Sequence, residues 1–406
     1  MKIIKLTGKQ FEKLRNRNLI RNKRVILSVE KIVEDVRQSG DDAIIKYTRK
    51  FDKVKLFPRE LRVSERETNG AYQDISPDFV TNLKLIIDNI SKFYKKQFKK
   101  SWKIVDDDGV MVGEKYQPLD TVGVYVPSGT VPLISSVYMT VLPARLAGVK
   151  RIILVTPPNK YKSIDPHILV VANLLKVDEV YKVGGAQAIA ALAFGTKTIP
   201  KVDKIVGPGN QYVTEAKRQV FGYCNIDMIA GPSEVVVLAN QYSNPEYVKA
   251  DLLAQGEHHM GLSILVTNSK KLAKEMRREV EKGYIVLVKN MDEAVDVINE
   301  IAPEHLEIQI KSPQKVIKKI KNAGAIFIGP YSPTAVGDYV AGPSHVLPTG
   351  GTARFFSGLG LCDFVKSIHV IGYTKKGLER SRASLERLAG MEGLPKHLES
   401  VKARFK

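Results

Sequence analysis

Apolar residues recur at helical spacing through much of the first hundred positions. VEKIVEDVRQSGDDAIIKYTRKF (29–51) and PDFVTNLKLIIDNISKFYKKQF (77–98) both show the pattern, which predicts amphipathic helices. Ser76 before Pro77 and Asp78 supplies an N-terminal cap for the second. From residue 122 the texture changes. Short apolar runs, VGVYVP (122–127), RIILVTPP (151–158), EVYKVGG (179–185) and DKIVGPGN (203–210), alternate with helical stretches such as VYMTVLPARLAG and QAIAALAFG. A second series follows: EVVVLA (234–239), LSILVTN (262–268), YIVLVK (284–289) and GAIFIGP (324–330). Strands alternating with helices predict parallel sheets with crossover helices. The fold class expected is therefore α/β, with two units of similar grain near 122–230 and 231–330. A helical tail is expected from about 376 to 406.

Two glycine-rich loops follow strands. Gly184 and Gly185 precede a helix predicted to start near Gln187, and Gly207, Pro208, Gly209 and Asn210 precede another. Such loops admit a ligand close to the backbone, and helix N-termini attract anions. Neither is GxGxxG, so each reads equally as a tight turn between strand and helix.

Composition narrows the class. The chain has 406 residues, 44% of them apolar and 26% charged, the profile of a globular protein large enough for two or three domains. No run of about 18 apolar residues predicts a membrane span. The opening MKIIKLTGKQFEKLRNRN is too charged for a signal peptide's apolar core, and Cys224 and Cys362 form no CxxC motif. A cytoplasmic setting is expected. The net charge of +20 raises a nucleic-acid reading. The lysines are spread along predicted amphipathic helices, and no zinc-finger or RNA-binding signature accompanies them. Neither nucleic acid nor membrane is expected as a partner.

The seven histidines carry the chemistry. DLLAQGEHHM (251–260) holds His258 and His259 three and four residues after Gln255. On a continuous helix all three would share a face. An amide oxygen with an imidazole suits a zinc-type ion, although a histidine pair on a helix is also an ordinary surface feature. Glu304 and His305 stand together in IAPEHLEIQI, Asp338 and His345 in AVGDYVAGPSHVLPTGG, and Glu392 and His397 in MEGLPKHLES. Histidine beside an acid within Gly/Pro punctuation is the inventory that metal binding and proton transfer need. His167 and His369 read as ordinary structural positions.

Together these stretches resemble the histidinol dehydrogenase family. KVGGAQAIAALAFGT, VDKIVGPGNQYVTEAK, IAGPSEVVVLA, DLLAQGEH, APEHLEI, GDYVAGPSHVLPTGGTARFFSGL and MEGLPKH occur in the family's order, from about residue 115 to 400. The chain departs from the family pattern at HMGLS after His258 and at PSGTVPLISSVYM. The resemblance implies two incomplete Rossmann-like units, 122–230 on the NAD side and 231–360 with the metal and proton-transfer residues. It further implies a helical N-terminal segment, residues 1–121, packed with 231–360, and a tail 361–406 exchanged in a homodimer with shared active sites. The implied reaction oxidises L-histidinol to L-histidine with two NAD⁺ and one Zn²⁺, in histidine biosynthesis. Gln255, His258, Asp338 and His397 are the implied zinc ligands, with His258 taken in preference to His259. Glu304 and His305 are the implied proton-transfer pair, His345 stands beside them, and Ser233 and Glu392 join the ligands and His305 around substrate. Tyr125, Gln187 and Asn210 are the implied NAD contacts. The alternatives are a zinc- and NAD-dependent relative acting on another polar alcohol, and a non-catalytic binding protein.

Overall fold

The computed structural model describes residues 1–17, 22–128, 131–258 and 260–405. Its strands in chain order are β1 (Lys2–Ile4), β2 (Trp102–Val105), β3 (Met111–Pro118), β4 (Thr121–Tyr125), β5 (Arg151–Thr156), β6 (Glu179–Lys182), β7 (Lys204–Val206), β8 (Asn225–Ile226), β9 (Glu234–Ala239), β10 (Leu262–Thr267), β11 (Tyr284–Leu287), β12 (His305–Ile308), β13 (Ala325–Ile328) and β14 (Val365–Gly372). The chain divides into two compact units, the first made of residues 1–97 and 119–364, the second of 98–118 and 365–406.

The first unit contains two parallel sheets, ordered β6-β5-β4-β7-β8 and β1-β11-β10-β9-β12-β13. Helices cover both faces of such sheets, so central strands read as unbroken apolar runs. RIILVT and EVVVLA are buried almost throughout. In the first sheet the order runs outward from β4 in both directions, placing a switch point between β4 and β7, where open parallel sheets hold ligands. The second sheet is wound outward from β9 in the same way.

The N-terminal segment does not pack as one body. β1 extends the second sheet beside β11, and Ile4, Phe11 and Leu14 enter its core. The helix Lys23–Phe51 instead buries Val25, Val29, Ile32, Val36 and Ile44 against Ile189, Leu192, Val213 and Val220 beneath the first sheet. The expectation that residues 1–121 pack with 231–360 is corrected there: the apolar stripe of this helix matches the alanine-rich helix Gly185–Phe194. The helix Pro77–Tyr94, capped by Ser76 as predicted, does reach the 337–351 loop. Tyr94 Oη accepts from Ser344 N at 3.0 Å and donates to the Leu359 carbonyl at 3.1 Å.

The second unit is an antiparallel sheet, β14-β3-β2, followed by helices Lys375–Met391 and Pro395–Lys402. Thr374 caps the first helix, and Arg380 pairs with Asp106 and Asp108. Leu385, Leu388, Met391 and Leu394 are exposed. Among the described residues no helix is long and apolar enough to cross a membrane.

Candidate active site

β12 starts at His305, and its side chains alternate as a strand requires. Leu306, Ile308 and Ile310 enter the core. His305, Glu307 and Gln309 fall on the other face, yet are buried as well. His305 Nδ1 lies 3.1 Å from the Glu234 carbonyl oxygen. A carbonyl only accepts, so Nδ1 carries the hydrogen, and a neutral ring keeps its lone pair on Nε2. Nε2 is buried without a hydrogen-bond partner and faces Asp338 Oδ1 at 3.6 Å. Burial alone would lower the imidazole pKa, but the Glu304 and Asp338 carboxylates outweigh it and carry His305 well above its ordinary value.

Glu304 is held from below. Its Oε2 accepts from Glu234 N at 2.8 Å and stands 3.5 Å from His305 Nδ1. Burial, with repulsion from Glu304 added, pushes the Glu234 carboxyl above its usual range. Arg17 opposes this with a two-pronged grip, Nε donating to Oε2 at 2.7 Å and Nη2 to Oε1. Arg17 lies outside every motif read in the sequence, because its acid is more than two hundred residues away.

The predicted ligand turn differs in local form. Asn244 caps the helix Pro245–Ala254, which ends before Gln255. Gln255–Glu257 is a single 3-10 turn, and His258 is extended at φ −68°, ψ 135°. The helical face expected for Gln255 and His258 is therefore corrected. The chain must reverse here to enter β10, and it does so tightly: a Cβ on Gly261 would lie 2.2 Å from the Gln255 carbonyl oxygen. Gln255 is buried with Nε2 unpartnered. His259 lies outside the described residues. Asp338 sits on the short helix Thr334–Tyr339. Burial works against its ionisation, but His305, His345 and His258 together hold Asp338 below the usual carboxylate range.

Of the other predicted residues, Ser233 and His345 belong to the first unit. Ser233 precedes β9, and its carbonyl accepts from Leu262 N at 3.0 Å. His345 Nε2 is 3.4 Å from Ser136 Oγ, and burial lowers its pKa. Glu392 and His397 belong to the second unit, where both are exposed. Among the described residues no three His, Cys, Asp or Glu side chains form a metal-holding group. The predicted set asks the first unit for only two of these types, plus the Gln255 amide. An amide oxygen, an imidazole and a carboxylate together suit a zinc-type ion. These residues therefore fit a metal.

The predicted NAD contacts meet at the switch point of the first sheet. Tyr125 ends β4, and its hydroxyl accepts from Gly185 N at 3.2 Å. Gln187 is 1% exposed with both amide atoms unpartnered, and Thr156 Oγ1 at the end of β5 is unpartnered too. Asn210 spends Oδ1 on capping the helix Gln211–Val220, at 3.0 and 3.1 Å from Tyr212 N and Val213 N. Its amide N–H groups are what a nucleotide would meet. Gly207, at φ +116°, admits no side chain, since a Cβ would lie 2.1 Å from the Tyr125 carbonyl oxygen. The buried Lys217–Asp227 pair fixes this loop through the Gly207 carbonyl and N–H at 2.6 and 2.8 Å. These residues fit a dinucleotide held by backbone and amides rather than by GxGxxG.

The first sheet thus presents its candidate residues at the carboxyl ends of strands. The second presents Glu234, His305 and the Gln255–His258 turn at the amino ends. These features define an α/β protein with buried polar groups gathered at strand ends of both parallel sheets. The histidinol dehydrogenase family model matches residues 15–405, and the chain belongs to that family, which makes it an oxidoreductase. It is 47% identical to histidinol dehydrogenase of Caldanaerobacter subterraneus subsp. tengcongensis, covering 97% of this chain and 96% of the relative. It is 48% identical to that of Bacillus cereus, over 96% and 94%. The crystal structure of histidinol dehydrogenase from Elizabethkingia anophelis superimposes with a TM-score of 0.93 at 36% identity, covering 100% of this chain and 98% of that one.

Proposed function

We propose that the chain oxidises L-histidinol to L-histidine through L-histidinal, as the last steps of histidine biosynthesis, with zinc and NAD⁺. The observation that carries this reading is the buried His305, with Nδ1 on the Glu234 carbonyl and Nε2 facing Asp338; Gln187 and Gln255 are among the residues that bury polar atoms without partners. His305, Gln187 and Gln255 are one residue each from the sets implied for proton transfer, cofactor and metal.

Gln255, His258 and Asp338 would hold the zinc, with His397 of the partner subunit completing the set. When bound, zinc supplies a Lewis-acid template for the imidazole and amine nitrogens of histidinol. NAD⁺, against Tyr125, Gln187 and Asn210, supplies the hydride acceptor for each of two oxidations. His305 Nε2 takes the hydroxyl proton, because Nδ1 is committed to the Glu234 carbonyl and Nε2 has no hydrogen-bond partner. Glu304 takes a proton from the water that adds to the aldehyde. Ser233, His345 and Glu392 of the partner subunit line the substrate.

Chelation is expected to abolish activity and zinc to restore it. Asp338→Asn replaces a charged oxygen donor by a neutral one and should weaken zinc binding by roughly tenfold or more. His258→Ala should lose zinc while His259→Ala keeps it. Full NAD⁺ reduction by rigorously metal-free protein would overturn the ligand assignment. Zinc lost from His259→Ala but kept by His258→Ala would move it by one residue.

A further inference from the structure

Behind His305 on the same face of β12 lies a polar group that the reaction does not use. Glu307 and Gln309 follow at the strand's period of two, and they are 1% and 7% exposed. Gln309 Nε2 donates to Glu307 Oε2 at 3.0 Å and to Asp251 Oδ2 at 2.5 Å. Glu307 Oε1 accepts from Thr334 N at 2.9 Å. The Gln309 backbone is pinned as well, its N–H to the Leu238 carbonyl at 2.9 Å and its carbonyl to Ser243 Oγ at 2.6 Å.

The partners of this group lie on the segments that carry candidate zinc ligands. Asp251 is on the helix Pro245–Ala254, which runs directly into Gln255 and His258. Thr334 is the first residue of the helix bearing Asp338, and its N–H is one that the helix itself cannot satisfy. That helix spans the polar face of β12, with Thr334 beside Glu307 at one end and Asp338 beside His305 at the other.

A buried carboxyl beside a half-buried one, both on Gln309 Nε2, is an expensive way to hold a fold. Burial raises both acids, Glu307 to about 8 with the Asp251 carboxyl adding to the rise. Apolar side chains of equal volume would usually stabilise as well or better. What they would not do is fix hydrogen-bonded distances to two separate helices.

We propose that Asp251, Glu307 and Gln309 are positioning residues, a buried clamp that fixes the Gln255–His258 turn and the Asp338 helix against β12 and so sets the spacing of the zinc donors around His305. The proposal rests on the zinc reading above.

The test is zinc affinity of the full-length protein, by competition with a chromophoric chelator, alongside melting temperatures with and without zinc. Glu307→Ala should weaken zinc by roughly tenfold to a hundredfold, the usual cost of losing a group that orients metal ligands. Glu307→Gln keeps an acceptor for Thr334 N and should recover some of that loss. Asp251→Ala, at the half-buried end of the clamp, should also weaken zinc, and it carries the test if Glu307→Ala fails to fold. A purely structural group would lower both melting temperatures together and leave the zinc affinity of folded protein unchanged. That result in Glu307→Ala, or in Asp251→Ala standing in for it, overturns the clamp. Wild type that takes up no zinc overturns the reading beneath it, and the clamp with it.

Discussion

His305→Ala is expected to slow histidinol oxidation by roughly 10²–10⁴-fold, the usual share of a positioned general base. The imidazole is locked from behind, with Nδ1 bound to the Glu234 carbonyl at 3.1 Å and Glu304 Oε2 at 3.5 Å. Glu234 is in turn fixed by Arg17. Glu304→Gln should act differently. The amide oxygen can still accept from Glu234 N, so the backbone beneath His305 keeps its support. The amide cannot take a proton from water. Oxidation of supplied L-histidinal should therefore fall further than the alcohol step. Rates measured separately on alcohol and aldehyde check this division of labour, and equal loss on both would contradict it.

The second large effect concerns the tail. Leu385, Leu388, Met391 and Leu394 are 38%, 60%, 79% and 39% exposed. Their three-residue spacing puts an uncovered apolar stripe along the helices that lead to His397. A tail exchanged between two subunits would cover it and would deliver Glu392 and His397 to the neighbouring site. Subunits carrying His305→Ala, mixed by unfolding and refolding with subunits carrying His397→Ala, then regain activity that neither has alone. Random pairing makes about half the dimers hybrid. Each hybrid has one intact site of two, so roughly a quarter of wild-type activity should return. A mixture as inactive as its components, with hybrids shown to form, would keep His397 in its own chain's site.

What is legible in the sequence is local. Ser76 caps the helix that follows it, as its position before Pro77 predicts. RIILVT and EVVVLA stand out because burial on two faces makes them nearly unbroken apolar runs. β1 is hidden because three residues, KII, carry no period, and its partner β11 lies some 280 residues away. β2 and β3 are hidden because they alternate weakly and lie mostly toward solvent. The Gln255 turn reads as helix because Gly256 and Gly261 break the helix only through the need to enter β10. The polar members of HLEIQI look like a solvent face. They are a buried one, under a helix drawn over β12 from beyond β13, and no local pattern announces that cover.

One site is expected to carry out two successive hydride transfers. The direct measurement is the number of NADH formed per L-histidinol consumed by zinc-loaded protein, with the products identified. An alcohol taken to an acid passes through two two-electron steps, so about two NADH should form, with L-histidine as product and no free aldehyde. A ratio of one with L-histidinal accumulating would contradict the account.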